Sequence, residues 1–311
     1  MTDDTIGIDI SKATLDIHRL SVGKTMSFSN CPAGFKALSR FCAKTAVARV
    51  VYEATGAYHS GLERALGAHL PLVKVNPLQA RRFAQAQGLR AKTDAVDAKM
   101  LADMGNAFAL EPDEPAAEIQ HDLKELRSFR SGLIKDRTGI MSRMKTQTLS
   151  ITRRQSKARL AQVDKQIAEI NAEIERLINS SDTLAHSMKI LRSIPGVGAI
   201  CAATILIEMP EIGSMDRKQV ASLTGLAPMT RQSGQWRGKS FIQGGRKIVR
   251  DPLYMPALVA MRHNPAFKAK YQALIKAGKP PKVAITALMR KLIELANALI
   301  KADRNWVTKG A

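Results

Sequence analysis

The chain has 311 residues, 48 Lys+Arg against 27 Asp+Glu for a formal charge of +21, and 45% hydrophobic residues. That length suggests two domains with a connector, and the apolar content supports real cores, which excludes collagen-like, disordered and disulfide-scaffold classes. A pI near 10.2 points to a polyanion as partner, most simply nucleic acid, with an anionic membrane surface as the other candidate.

In chain order, the start Met1-Thr2-Asp3-Asp4 is acidic and unlike a signal peptide. Residues 5–10 read as a buried strand, Thr14 to Leu20 as a second with alternation at Leu15, Ile17 and Arg19, and Met26 to Phe28 as a third. Pro32 opens a helix to about Lys44, with Phe35, Leu38 and Cys42 on one face. Val47 to Tyr52 is an apolar strand ending at Glu53, followed by a helix over Gly56 to His69, a strand over Leu72 to Val75 and a helix over Pro77 to Gln87. Three meandering strands followed by alternating helix and strand predict an α/β domain with a mixed sheet.

Residues 118–180 change character. Leu160, Val163, Ile167, Ile170, Ile174 and Leu177 form a heptad seam, and Leu123, Leu126, Leu133, Ile140 and Met144 a looser stripe before it. Two long helices follow from this, as an antiparallel hairpin, a coiled coil that can dimerise, or one side of a helical bundle. Ile194-Pro195-Gly196-Val197-Gly198 before an apolar helix resembles a helix–hairpin–helix turn, whose backbone N–H groups face a phosphate; a plain helix-opening loop is the alternative. Residues 225–250, rich in Gly, Ser, Lys and Arg, read as a loop that folds around something anionic. The remainder is helical, with Pro256 expected to kink or break its helix. The most apolar run, Ile194 to Ile207, is interrupted by Pro and Gly and too short to span a bilayer, so a soluble intracellular protein is expected. Cys31, Cys42 and Cys201 lack metal-ligand spacing and read as buried thiols in a reducing compartment.

The charge is uneven: residues 1–112 carry +4, 113–187 carry +2 and 188–311 carry +15. From Arg217 to Lys282 there are 14 basic residues and a single acid, Asp251; Lys124 to Arg159 holds 11 basic residues against Glu125 and Asp136. An imbalance this local favours phosphate contact over a merely solvated face.

Against that background four acids stand out. Asp9 ends the first strand and Glu53 the fourth, each flanked by apolar residues that would bury it, and a buried charge must be paired or bound to metal. Asp94 and Asp97 lie three apart on one helical face. Singly, Asp94 reads as a cap after Thr93, Asp97 as a partner of Lys99 or Lys92, and Asp9 as a turn residue. Together they form a plausible set of oxygen ligands for two Mg²⁺ ions, which suits in-line phosphoryl transfer.

Gly7-Ile8-Asp9-Ile10-Ser11-Lys12, Glu53-Ala54-Thr55-Gly56-Ala57-Tyr58, Val75-Asn76-Pro77, Lys92-Thr93-Asp94-Ala95-Val96-Asp97-Ala98 and Ile194-Pro195-Gly196-Val197-Gly198 occur in this order. So do Leu223-Thr224-Gly225-Leu226-Ala227-Pro228, Ser233-Gly234, Arg237-Gly238-Lys239, Leu253-Tyr254-Met255, Arg262-His263-Asn264-Pro265 and Met289-Arg290-Lys291-Leu292. The whole set resembles the DEDD transposases of bacterial insertion sequences, relatives of the pilin-gene invertase.

The resemblance implies an RNase H-like (RuvC-like) catalytic domain over 1–112, a coiled-coil connector over 113–187, and a helical transposase domain over 188–311. It implies that Asp9, Glu53, Asp94 and Asp97 bind Mg²⁺ and that Ser233 is the nucleophile. It further implies a covalent phosphoserine link, a bridge RNA pairing with donor and target DNA, a bacterial cytoplasmic setting at the nucleoid, and a homo-oligomer, dimer or tetramer, whose acids and serine come from different subunits. From the residues alone, Ser-Gly in a basic loop is usually a turn. Arg231, Arg237 and Lys239 around Ser233, with Arg246, Lys247 and Arg250 beyond, are the phosphate-contact candidates, and Ser240 is the rival serine. No nearby His supplies a base for the hydroxyl. Many relatives carry Ser-Lys-Arg-Gly or Ser-Lys-Ala-Gly after the serine, where this chain has Ile242-Gln243-Gly244-Gly245-Arg246-Lys247, closer to a Gly-Gly-Arg branch. Two other readings fit the residues: a metal-dependent nuclease or junction resolvase without a covalent intermediate, and a non-catalytic nucleic-acid scaffold.

Overall fold

The computed structural model describes residues 4–54, 56, 58–89 and 93–307. Met1, Thr2, Asp3, Thr55, Ala57 and Lys92, used in the sequence reading, lie outside the described residues. The chain divides into two compact units, the first ending at His121 and the second beginning at Asp122.

The first unit opens with β1 (Thr5–Ile10), β2 (Thr14–Arg19) and, after a 3-10 turn at Leu20–Val22, β3 (Lys24–Ser29). It continues through α1 (Pro32–Cys42), β4 (Arg49–Glu53), α2 (Ser60–Leu66), β5 (Leu72–Val75), α3 (Pro77–Ala86) and α4 (Asp94–Ala107). The strand order is β3-β2-β1-β4-β5; β1, β4 and β5 run parallel, and β2 and β3 antiparallel to their neighbours. This is the mixed sheet that the pattern predicts. The helix expected over Gly56 to His69 is shorter at both ends. Gly56 has a left-handed φ of 81° that no helix accepts, and Gly67 caps the far end two residues before His69.

The pleat distributes side chains to two cores. Ile6, Ile8, Leu15, Ile17, Val50 and Tyr52 face α1 and α2, meeting Phe35, Leu38, Leu62 and Leu66. Val51, Val73 and Val75 face the other way, against Ala80 of α3 and Met100, Leu101 and Met104 of α4. Gly7 lies on that second face, between Ile6 and Ile8, and α4 crosses directly over it. A Cβ on Gly7 would sit 2.0 Å from the Ala98 carbonyl oxygen and 2.4 Å from the Ala102 nitrogen. Gly105, further along α4, has Val51 Cγ2 only 2.4 Å from where its own Cβ would be. On the opposite side, buried Arg19 ties β2 to the chain start and the end of α1, donating to Asp4 Oδ2 at 2.5 Å, Thr45 Oγ1 at 2.6 Å and the Phe41 carbonyl at 3.3 Å.

The second unit holds α5 (Glu118–Met144, starting just ahead of the division), α6 (Ser150–Asn179), α7 (Asp182–Ser193), α8 (Ala199–Glu208) and α9 (Arg217–Leu223). Four short strands follow, β6 (Pro228–Met229), β7 (Gln232–Ser233), β8 (Trp236–Arg237) and β9 (Phe241–Ile242). They lead to α10 (Lys247–Arg250), a 3-10 turn (Asp251–Leu253), α11 (Tyr254–His263), α12 (Pro265–Lys276) and α13 (Pro281–Lys301). α5 and α6 pack antiparallel. Arg130 donates to Asn171, Arg137 to Asp164 and Gln147 to Ser156, so partners advance on one helix as they recede on the other. Leu133, Ile140 and Val163 are buried between them. In the helical remainder, α8 is buried from Cys201 to Ile207, and buried Glu294 of α13 accepts from Arg217 and Arg290.

Pro256 does not break its helix, contrary to the sequence expectation. It sits in the first turn of α11, where N–H groups have no intrahelical acceptor, and the 3-10 turn around Pro252 absorbs the change of path. Cys42 and Cys201 are buried, with thiols pushed up by burial to about 11 and about 12; Cys31, preceding α1, is only half-buried.

Because the atoms that meet a Gly7 side chain are backbone, Gly7→Ala should lower stability by about 3 kcal/mol, the upper end for overpacking. Gly132→Ala, where an added methyl meets nothing and alanine is the better helix former, should be neutral or stabilising by up to about 1 kcal/mol. Urea midpoints that move in the same direction for both variants contradict this account.

Candidate active site

Asp9 and Glu53 follow from the register of the sheet. Each stands two residues beyond a residue on the α4 face, Gly7 in β1 and Val51 in β4, so each shares that face. The parallel pairing of β1 with β4 ends at Ile8 opposite Tyr52, which puts Asp9 and Glu53 at the same level on neighbouring strands. Asp94 and Asp97 occupy the first turn of α4, the helix that Gly7 admits to this face, with Thr93 as its N-cap accepting from the Val96 N–H at 3.3 Å. Thr93, rather than Asp94, is the capping side chain, so the capping reading of Asp94 does not hold.

Asp9 is half-buried, and its carboxyl is pushed up to about 6. Burial is the largest cause, followed by the negative charges of Asp97, Asp94, Asp16 and Glu53. All four predicted acids therefore act within one electrostatic field, together with a fifth. Asp16 lies directly opposite Asp9 in the antiparallel β1–β2 pair and accepts from Thr14 Oγ1 at 3.0 Å. The sequence reading missed it, although alternation with inward Leu15 and Ile17 already turned Asp16 to the α4 face. A crowd of carboxylates that raises one member's pKa suits a hard divalent cation, which would relieve the repulsion and take oxygen donors. Among the described residues, no three such side chains converge closely enough to hold one ion.

On the other face of the sheet, Glu63 accepts from Tyr52 Oη at 2.5 Å and pairs with Lys74. Burial alone would raise Glu63, but Lys74 and the hydrogen bonds outweigh it and hold the carboxyl below its ordinary range. This internally compensated network buttresses the end of β4.

Ser233 lies in the second unit. Pro228 and Met229 pair with Ile242 and Phe241, the Gly238 N–H donates to the Arg231 carbonyl at 2.9 Å, and Gln232 and Ser233 pair with Arg237 and Trp236. The two strands thus form one hairpin arm, with a single extra residue on the return strand. Gly234 follows Ser233 with φ 55°, as a primed two-residue turn requires. The region read as a loop is this arm, and Ser233 stands exposed at its tip. Among the described residues, the side chains of Ser233, Arg237 and Lys239 have no hydrogen-bond or ion-pair partner, and Arg231 lies over the Phe241 ring at 4.8 Å. Ser240 is also exposed but sits back from the tip.

The remaining basic candidates have partners within the protein. Arg246 makes a bidentate pair with Glu211 at 2.7 and 2.8 Å and donates to the Glu208 carbonyl at 2.6 Å. Lys247 pairs with Asp251, and Arg250 donates to the carbonyls of Gly244, Thr224 and Gly225. Gly225 and Gly245 lie backbone to backbone, a Cβ on Gly245 falling 2.1 Å from the Gly225 nitrogen. The Leu223–Pro228 and Gly244–Lys247 motifs together clamp the base of the arm. Ile194–Gly198 is the turn between α7 and α8, with Gly198 as the N-cap of α8 making no side-chain cap; Gly196, φ 90°, is pressed against the Pro256 carbonyl.

Residues 6–153 match a DEDD transposase family of the IS110 type, and residues 188–272 match the transposase IS116/IS110/IS902 family. Over 320 aligned residues, 98% of each chain, this chain is 31% identical to the pilin gene-inverting protein of Moraxella bovis. The chain belongs to the IS110 family of DEDD transposases. The transposase is equally similar, at 31% over 98%, to the pilin gene-inverting protein of Moraxella lacunata. It is 29% identical to an insertion element IS110 protein of Streptomyces coelicolor over 50% of this chain and 38% of that one. It is a DNA recombinase, and its family implies DNA binding and the use of a divalent metal. The mixed five-stranded sheet with flanking helices is consistent with an RNase H-like domain of this family. No described helix is long and apolar enough to cross a membrane.

Replacing one of several crowded charges relieves repulsion and would also weaken cation binding if the acids take a metal. Asp9→Asn should raise the thermal midpoint in chelator and abolish most of the further rise that millimolar Mg²⁺ or Mn²⁺ produces in the parent. A parent midpoint that does not respond to either cation contradicts the site.

Proposed function

We propose that this transposase cuts and rejoins DNA at insertion-sequence ends through a covalent phosphoserine intermediate on Ser233. The observation that carries the reading is the exposed Ser233 at the tip of a basic arm, in a chain whose other unit gathers Asp9, Glu53, Asp94 and Asp97 into one field. The Ser233 oxygen attacks phosphorus as it loses its proton. The bond from phosphorus to one deoxyribose oxygen breaks, and that oxygen leaves as a hydroxyl carrying a proton. Attack by the hydroxyl of another strand reverses the step and restores the serine, so the ester bond is conserved without a nucleotide cofactor. Arg231, Arg237 and Lys239 hold the phosphate. Arg246 and Arg250 orient the base of the arm, and Arg250, bonded only to neutral carbonyls, adds positive field to the same phosphate region.

The four acids would hold two Mg²⁺ ions, which supply charge stabilisation and a lowered pKa for a bound hydroxyl. In support, Asp9 and Glu53 stand at one level on neighbouring strands, and Asp94 and Asp97 share the first turn of α4. The α5–α6 pair serves as a coiled-coil connector through which copies associate as a dimer or tetramer, so that the acids of one subunit serve the serine of another. A bridge RNA pairing with donor and target DNA selects the sites; the +15 charge of residues 188–311 is the attraction expected for a protein that holds RNA and DNA together. The open N-terminus of α8 offers its N–H groups to a phosphate as well.

Ser233→Ala should retain DNA binding within about twofold, since the hydroxyl carries no phosphate charge, while abolishing recombination and the protein–DNA adduct. The check is a denaturing gel of labelled donor DNA with Mg²⁺ and RNA from the flanking non-coding region. Free cleaved DNA without adduct, unchanged by Ser233→Ala, would establish the hydrolytic nuclease reading instead.

A further inference from the structure

The arm carries a residue that none of the roles above uses. Trp236 is directly opposite Ser233 in the β7–β8 pair and is 59% exposed, although an indole is among the most favourable side chains to bury. Cross-strand partners project to the same face of a hairpin, so the indole and the serine hydroxyl share one face at the tip. The indole is seated rather than free. Its benzo ring edge lies over Gly238, two residues on, with Cη2 only 2.5 Å from where a Cβ would stand. Gly238 thus provides a slot for the ring, while much of the indole remains open to solvent. Arg231, Arg237 and Lys239 lie within five residues of it along the arm, and no acid occurs between Arg217 and Asp251.

We propose that Trp236 is a positioning residue that stacks on an unstacked nucleobase of the DNA strand whose phosphate Ser233 attacks. A seated aromatic ring among cations is the recognition chemistry of a single-stranded nucleic acid: cations track the phosphates and the ring takes the π-face of any base. Sequence tolerance follows, because every base offers such a face. The inference deepens the phosphoserine reading in placing the base beside the scissile phosphate, and rests on it there; the stacking itself is tested separately.

The test uses the full chain with a thymidine oligonucleotide and a fully paired duplex of equal length. Tryptophan emission of the parent should be quenched by the oligonucleotide, and Trp236→Phe, which leaves Trp306, should remove that quenching. Trp236→Ala should weaken oligonucleotide binding by about 5- to 100-fold, with little change for the duplex and an unchanged salt slope, since no phosphate contact is lost. Trp236→Phe should recover most of the affinity. Gly238→Ala keeps the indole but displaces it from its slot, and should weaken oligonucleotide binding by an intermediate amount. Equal affinities of Trp236→Ala and parent for the oligonucleotide overturn the proposal. So does a loss of self-association in sedimentation with DNA affinity intact, which would make the tip a contact between copies. If the parent forms the serine adduct but shows no quenching, the stacking role falls and the nucleophile stands. If quenching persists and no adduct ever forms, Trp236 stands as a base-stacking residue and the Ser233 reading falls.

Discussion

The close approach of α4 to β1 is the contact on which the acidic face depends. A helix that packs on a sheet through ordinary side chains is held off by their bulk, whereas here the helix backbone rests against a strand glycine. With Gly7 lacking a side chain, the Ala98 carbonyl and Ala102 nitrogen fit where a methyl group would otherwise stand. The first turn of α4 is thereby brought to the ends of β1 and β4, and its two aspartates join two acids that are far apart in the chain. The glycine is a requirement of proximity and owes nothing to a special φ.

That proximity has an electrostatic consequence. Asp9 is drawn out of water by the same packing and faces Asp97, Asp94, Asp16 and Glu53, so its carboxyl rises to about 6. Buried like charges oppose folding, and proteins retain such arrangements where a ligand or reaction repays them. The neighbouring Tyr52–Glu63–Lys74 network is the contrasting case: there each charge has its partner, and the group reads as structural support.

The hairpin arm solves a different problem. A serine on an exposed tip is open to a large partner, yet an exposed two-stranded hairpin is marginal alone. Its base is held by the Gly225–Gly245 backbone contact, by Arg250 on three carbonyls and by Arg246 on Glu211. Three of the six basic residues grouped by sequence as phosphate ligands thus have protein partners, and the charges left on the upper part of the arm are those of Arg231, Arg237 and Lys239. Composition alone does not separate these two uses of arginine, because both place it in a glycine-rich stretch.

Much of this protein was determined by local sequence. Strand alternation at Leu15 and Ile17, the Phe35–Leu38–Cys42 stripe and the heptad seam of α6 are short-range patterns, and each corresponds to an element with the expected buried face. Asp9 and Glu53 stood out for the same reason, since carboxylates ending apolar strands violate the pattern around them, whereas Asp94 and Asp97 stood out by their helical spacing of three. Tertiary structure alone decided what depends on distant partners. Asp16 became a neighbour of Asp9 only through strand register, and Pro256 was tolerated only because α11 begins at Tyr254. The Ser-Gly turn closed a hairpin only because Pro228 and Met229 found Ile242 and Phe241 across the arm. A periodic pattern reports which face of an element is buried, whereas register and close approach depend on the partner that meets it.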